Sequence, residues 1–134
     1  MKVLLDSHVV LWWLGGGRFL SRRAARVITD ARALLVSPVT CWEIAWLFAR
    51  GRVKLDQTPH AWARSLFDHD RVDLAPLSAG AAVEAASLGR GVFPGDPADR
   101  LLYATAQDLD VAFVTADRGI ATFARDHRDV KVVW

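Results

Sequence analysis

Residues 1–14 read MKVLLDSHVVLWWL, and this stretch sets the pattern for the rest of the chain. The short apolar run from Val3 to Leu5 predicts a buried strand that ends at Asp6. An apolar helical pattern from His8 to Leu14 follows directly and stops at the three glycines of residues 15–17. A strand that passes directly into a helix is the building unit of a parallel α/β sheet.

The same alternation continues to the end of the chain. It predicts strands over residues 34–36, 72–75, 111–114 and 130–133, and helices over 21–32, 37–51, 58–68, 78–89, 96–107 and 118–123. Strands separated by helices predict right-handed crossovers and a three-layer α/β/α fold around a central parallel sheet of four to five strands. The 134 residues contain no repeat or linker, so we expect one domain over residues 1–134.

Composition limits the function classes. The apolar share of 52% and the six Trp exceed what one small core needs, which predicts an interface. Arg supplies 14 of the 17 basic residues, which suits phosphate contacts, although an Arg-rich genome would explain it equally well. Cys41 is the single cysteine, so no internal disulfide is possible. Asp6 and His8 interrupt the apolar start, and no stretch reaches the roughly 18 apolar residues of a membrane span. We expect a cytoplasmic protein with no membrane partner.

Four carboxylates, Asp6, Glu43, Asp99 and Asp117, each fall where a predicted strand passes into a helix or just inside that helix. In a parallel sheet all these positions lie on the edge formed by the carboxyl ends of the strands, so the acids should meet. At a separation of about 6 Å and an effective dielectric of about 20, each pair would repel by roughly 3 kcal/mol. Bound cations or raised pKa values make such a cluster tolerable, and carboxylate ligands favour Mg²⁺ or Mn²⁺ over zinc.

Each acid also has an explanation that needs no metal. Asp6 and Asp117 are good helix N-caps, and Glu43 follows Thr40 at the spacing of a capping box. Against this, the helix around Glu43 is apolar all round, which predicts burial on most sides, and a lone buried carboxylate is costly.

Asp96 and Asp99 stand three residues apart in the segment Gly95-Asp96-Pro97-Ala98-Asp99. Pro97 fits the first helical position, which makes Asp96 the N-cap. Asp99 then lies one turn into the helix, where we expect it to point at the acidic site.

The chain resembles the PIN-domain ribonucleases, and more closely the VapC-type toxins of bacterial toxin–antitoxin pairs. The resemblance rests on LLDSHVVLWWL near the start, SPVTCWEIAWLFARGRVKL in the middle, and DPADRLLYATA and FVTADRGIATF near the end. By position, the acidic set of that family falls on the same four carboxylates. The segment Phe93-Pro94-Gly95 replaces a basic element, and Trp46 and Leu47 stand where a Lys is frequent, which affects substrate contacts and leaves the acids intact.

The resemblance implies a metal-dependent endoribonuclease toxin with a PIN-like fold, an RNA substrate, a small antitoxin partner and a homodimer. Asp6, Glu43 and Asp99 would be direct or water-mediated ligands of one or two Mg²⁺, with Asp117 serving the same site. Possible accessory groups are the hydroxyls of Ser7 and Thr115, which could equally cap the local backbone, and the side chains of Arg100 and Arg118, which could contact phosphate but are more often structural. For His8 we favour a structural role, since a metal-activated water needs no side-chain base.

Two other function classes compete with this reading. The first is a PIN-like module that has lost catalysis and serves as a binding partner, against which the retention of all four acids argues. The second is another Mg²⁺-binding α/β domain, such as a response-regulator receiver. A receiver needs a Lys after a late strand, and this chain has no Lys between Lys54 and Lys131.

Overall fold

The computed structural model describes residues 1–134, apart from the side chains of residues 90 and 91. Its strands are β1 (Lys2–Leu5), β2 (Ala33–Val36), β3 (Val72–Leu74), β4 (Ala112–Val114) and β5 (Val132–Val133). Its helices are α1 (Ser7–Leu14), α2 (Arg22–Asp30), α3 (Pro38–Ala49), α4 (Pro59–Asp68), α5 (Ala79–Ser87), α6 (Pro97–Leu109) and α7 (Arg118–His127), with a 3-10 turn at Leu88–Gly91. Within the part of the chain that the structure describes, no helix is both long enough and apolar enough to cross a membrane.

The five strands form one sheet in the order β3-β2-β1-β4-β5, and every neighbouring pair is parallel. This confirms the predicted parallel sheet. The chain steps outward from β1 through β2 to β3, then returns to the other side of β1 for β4 and β5. The strand order therefore reverses between β1 and β4, and the carboxyl ends of these strands form the crevice in which open α/β sheets bind ligands.

Two apolar cores lie on opposite faces of the sheet, which confirms the three-layer architecture. Side chains alternate along each strand, so Leu4 of β1 packs with α5, α6 and α7, whereas Val3 and Leu5 pack with α1, α2 and α4. Leu4, Val3 and Leu5 are fully buried. Burial of each such side chain contributes about 1.5–3 kcal/mol, so the central strand is held firmly from both sides.

Side-chain caps fix the starts of four predicted helices. The hydroxyl oxygens of Ser21, Ser37, Thr58 and Ser78 each accept a backbone N–H of the first turn. Several helix ends differ from the prediction: α2 ends at Asp30 instead of residue 32, and α6 ends at Leu109 instead of residue 107. Helix α5 stops at Ser87 and continues as the 3-10 turn, and α7 runs on past residue 123 to His127 because Phe123 and Ala124 are both buried against the core.

Candidate active site

Asp6 lies at the point where β1 ends and α1 begins. Its backbone N–H donates to the carbonyl of Val114 at 3.0 Å, which ties it to the end of β4. Its Oδ1 accepts the Ser7 N–H at 2.7 Å, and its Oδ2 accepts the Thr115 hydroxyl at 2.8 Å. Asp6 is thus the N-cap of α1, as the alternative explanation proposed. Two hydrogen bonds hold its carboxylate at the switch point of the sheet.

Asp117 reaches the same edge from β4. Its Oδ1 accepts the Ile120 N–H at 2.9 Å, so it caps α7, again as the alternative explanation proposed. Its own N–H donates to the hydroxyl oxygen of Thr115 at 3.2 Å. Thr115 is fully buried and joins the two acids, since it accepts from Asp117 and donates to Asp6.

Asp96 and Asp99 form a reciprocal capping box at the start of α6. The Asp99 N–H donates to Oδ1 of Asp96 at 2.9 Å, and the Asp96 N–H donates to Oδ2 of Asp99 at 3.2 Å. Asp96 is the N-cap as predicted. Asp99 is not free of the helix end, which corrects the expectation that it only points at the site.

Glu43 lies in the middle of α3. The cap of this helix is Ser37, so Thr40 is already helical and the capping box expected between Thr40 and Glu43 does not form. The prediction that α3 is buried on most sides is also wrong, because Trp42 is 60% exposed and Glu43 is half-buried. The helix has one buried face, and Glu43 lies at the border of that face.

All four predicted acids line a single open cleft of about 410 Å³. The described residues that line it are Asp6, His8, Trp12, Glu43, Asp96, Asp99, Ala116 and Asp117. Five of these eight residues are acidic, and His8 is the one basic residue among them. Among the described side chains, no three His, Cys, Asp or Glu residues are placed so that together they could hold a metal ion. The carboxylates would have to approach one another to share one.

Burial raises the pKa of Asp6 and of Glu43 above the ordinary carboxyl range. For Asp6, the hydrogen bonds from Thr115 and Ser7 and the charge of His8 act in the opposite direction. For Glu43, the nearby Ser7 hydroxyl and the charge of His8 lower the pKa, whereas the negative charges of Asp6 and Asp96 raise it. Both acids therefore favour a proton or a cation in place of a bare negative charge.

Burial also raises the pKa of Asp99, to about 7. The carboxylates of Asp96, Asp6 and Glu43 add to the effect of burial, and only the hydrogen bond from the Asp96 backbone counteracts it. The like charges at this edge thus act on one another as the sequence predicted. Oxygen donors without a thiol in the lining fit Mg²⁺ or Mn²⁺ better than a softer ion.

A family model described as PIN domain matches residues 3–126, far more than half of the sequence. The chain belongs to the PIN-domain family. This PIN domain is 40% identical to Ribonuclease VapC22 of Mycobacterium tuberculosis over 135 residues, which cover 98% of each chain.

Solved structures agree with the fold of this PIN domain. VapBC-1 from nontypeable Haemophilus influenzae matches with a TM-score of 0.68 at 15% identity, over 98% of this chain and 96% of that one. Mycobacterium tuberculosis VapC20, described as a toxin that cleaves the sarcin-ricin loop, matches with a TM-score of 0.63 at 12% identity, over 90% and 93% of the two chains.

None of the four predicted accessory residues lines the cleft, and the Thr115 hydroxyl is connected to it through its hydrogen bond to Asp6. Ser7 is fully buried, and its hydroxyl donates to that of Thr40 at 3.2 Å. The guanidinium of Arg100 donates to the carbonyl of Leu88 at 2.7 Å and lies over the ring of Phe93, which is the structural alternative. Arg118 is exposed.

Sequence reasoning did not assign four of the eight lining residues to the cleft, namely His8, Trp12, Asp96 and Ala116. Asp96 was predicted only as a helix cap, yet it also lines the cleft and raises the pKa of Glu43 and Asp99. His8, for which a structural role was favoured, is exposed there, and its ring lies 5.9 Å from that of Trp12. The signal was present, because residues 8 and 12 are one turn apart in the helix that begins directly after Asp6.

Proposed function

We propose that this PIN domain is a metal-dependent endoribonuclease that hydrolyses phosphodiester bonds of RNA and acts as the toxin of a type II toxin–antitoxin system. The proposal rests on the acidic cleft. In this cleft Asp6, Glu43 and Asp99 have raised pKa values and lie beside Asp96 and Asp117. The identity to a ribonuclease named VapC22 supports the reaction class.

The metal in this proposal is Mg²⁺, which Mn²⁺ can replace. Asp6, Glu43 and Asp99 would hold it, with Asp117 beside them. When bound, the ion supplies a water of lowered pKa and stabilises charge on the leaving oxygen. No ion contributes to the geometry described above.

The protein residues have separate tasks in this scheme. Thr115 and the Ser7 N–H fix both oxygens of Asp6, so its carboxylate keeps one orientation. The capping box engages Oδ2 of Asp99 and leaves Oδ1 outside that pair of hydrogen bonds. Five acids at one edge would repel a phosphodiester, so we expect RNA to bind productively only after a cation has reduced their charge.

We also propose a small antitoxin as the protein partner, together with a homodimer. The antitoxin rests on the likeness to solved structures, one of which is described as a toxin-antitoxin complex from Klebsiella pneumoniae. The homodimer rests on α3, where Trp42 is 60% and Trp46 37% exposed and their rings stack at 6.2 Å. Apolar surface of this kind is typical of a contact with another chain.

Purified protein incubated with total RNA in Mg²⁺ and in EDTA tests the reaction. We expect cleavage only with Mg²⁺, and its loss in Asp6→Asn. The matched control is Asp110→Asn, the same chemical change at an exposed left-handed residue before β4, where Asn is tolerated. Cleavage that persists in EDTA, or that survives Asp6→Asn, would contradict the proposal, and a wild-type protein without cleavage would leave the binding-module alternative.

A further inference from the structure

Two clefts of opposite charge are connected through Trp134, the residue that follows β5. The first is the acidic cleft described above. The second has a volume of about 420 Å³ and is lined by Arg23, Ala121, Ala124, Arg125, Val130, Lys131, Val132 and Trp134. Three of these residues are basic and none is acidic. The cationic groups lie on exposed residues at the open edge of the sheet.

Aromatic side chains join the two clefts. Trp12 lines the acidic cleft and Trp134 lines the basic one, and their rings lie 5.6 Å apart at 52°. On the outer side Trp12 also contacts Phe19, with 6.3 Å between the ring centroids, and Phe19 is 62% exposed. The guanidinium of Arg18 lies 5.1 Å from the centre of the Phe19 ring. We call Trp12, Phe19 and Trp134 the aromatic bridge.

We infer that the aromatic bridge and the basic cleft form a binding track for single-stranded RNA, which leads from the acidic cleft along the β5 edge. This inference rests on the proposed function, because it takes the acidic cleft as the place of cleavage. Bases of the strand stack on the aromatic bridge, and phosphates beyond it contact Arg23, Arg125 and Lys131.

The combination of basic and aromatic side chains favours single-stranded RNA as the ligand of this track. Proteins that bind single strands combine a basic groove for the backbone with aromatic faces for the bases, and Arg near an aromatic face adds a cation–π contribution. The rings of the aromatic bridge are tilted by about 50° to one another, so they do not stack on each other. The negative charge of the acidic cleft repels the phosphate backbone that we propose is cleaved there. A binding track outside the cleft would hold the RNA in spite of this repulsion. The affinity for RNA then comes from residues outside the cleft.

The stacking part of the inference is tested with a fluorescently labelled RNA of about 12 nucleotides, a length within the site sizes of known single-strand binders. Anisotropy is recorded in EDTA, so cleavage plays no part. Phe19→Leu keeps an apolar side chain but removes the aromatic face, and we expect Kd to rise about fivefold or more. Phe19→Tyr keeps the face and should bind within about twofold of the wild type. Phe19 is exposed, so both variants should fold, which a melting curve verifies.

The electrostatic part is tested by the double variant Arg125→Ser, Lys131→Ser. Each lost phosphate contact should reduce the slope of log K against log salt by about 0.7, hence by about 1.4 for the pair. The control is Arg32→Ser, also exposed but placed before β2, which lies on the other side of β1 from β4 and β5, and its slope should match the wild type.

The outcomes separate this inference from the proposed function. Equal RNA affinity in Phe19→Leu, Phe19→Tyr and wild type, or an unchanged salt slope in the double variant, overturns the track even if the protein cleaves RNA, and would leave this surface to a protein partner. A wild-type protein that does not bind the RNA overturns it as well. The expected binding pattern without any Mg²⁺-dependent cleavage would support the track and end the nuclease proposal.

Discussion

The Asp99 carboxylate has two roles. Its Oδ2 accepts the Asp96 N–H at 3.2 Å, and the same side chain lines the acidic cleft. Asp99→Asn separates these tasks. The amide oxygen can still accept the Asp96 N–H, and the loss of a negative charge relieves repulsion at a site where the pKa is about 7. We expect an equal or higher melting temperature in EDTA and no Mg²⁺-dependent RNA cleavage. Full activity combined with early melting would leave Asp99 as a capping residue only.

Asp96→Ala is the opposite case at the same helix end. It removes the oxygen that accepts the Asp99 N–H at 2.9 Å, which should lower the free energy of unfolding by about 1 kcal/mol. Appreciable cleavage should remain below the melting temperature. Denaturant unfolding and an RNA cleavage time course measure the two effects, and loss of all activity in a folded protein would make Asp96 a member of the catalytic set.

Gly95 has to lack a side chain. A Cβ there would lie 2.5 Å from Cβ of Asp99 and 2.9 Å from its Oδ2, closer than atoms approach. We therefore expect Gly95→Ala to displace the Asp99 carboxylate and to reduce cleavage at least about tenfold, by analogy with other small misplacements of catalytic groups. Gly80→Ala is the control, since its nearest atom is 3.9 Å away and helical Ala is favoured over Gly. Equal cleavage by Gly95→Ala and Gly80→Ala would contradict the expected displacement of the Asp99 carboxylate.

The raised pKa values of Asp6, Glu43 and Asp99 make the stability of the metal-free protein depend on pH. Between about pH 4, near the unfolded pKa, and pH 7 the folded state binds more protons than the unfolded state, so this contribution to stability is lost as pH rises. Melting temperatures in EDTA should fall over this range, and less steeply in Asp99→Asn. If the melting temperature of the wild type rose from pH 5 to 7, in parallel with that of Asp99→Asn, the raised pKa values would be contradicted.

At the scale of elements, α3 shows what the sequence could and could not indicate. Its limits followed from the Ser37 cap, Pro38 and Gly51. The burial of its faces did not, because a helix that is apolar all round gives no periodicity to tell which side meets the sheet. Ile44 is fully buried, whereas Trp42 and Trp46 are exposed and the Arg50 guanidinium lies 3.8 Å from the Trp46 ring.

The exposed face of α3 leads to a prediction about association. Trp42→Ser removes a large apolar contact and should weaken self-association or antitoxin binding about tenfold or more. Sedimentation velocity over a range of concentrations measures the first, and Val83→Ser on α5, where the side chain is 73% exposed, is the control. A wild-type protein that stays monomeric at micromolar concentration, with no partner that depends on Trp42, would rule this interface out.

For the whole molecule, the alternation of strands and helices was enough to predict a parallel sheet and the meeting of four acids at one edge. The strand order was not predictable from one sequence, because periodicity within an element carries no information on its neighbours. Yet that order places Asp6 beside β4, where Thr115 can bond to it. The aromatic bridge was hidden for the same reason, since Trp12 and Trp134 lie at opposite ends of the chain and meet only through the order of β1, β4 and β5.

The proposed nuclease activity depends on a divalent ion that the carboxylates would hold at the switch point of the sheet. The most direct measurement is an anomalous difference map from crystals soaked in Mn²⁺, which reports the position of the ion itself. We predict a peak in the acidic cleft, about 2 Å from oxygens of Asp6, Glu43 and Asp99, a distance expected for a small hard cation. A peak bound elsewhere, or no peak in crystals of a protein that cleaves RNA in the same Mn²⁺ concentration, would contradict it.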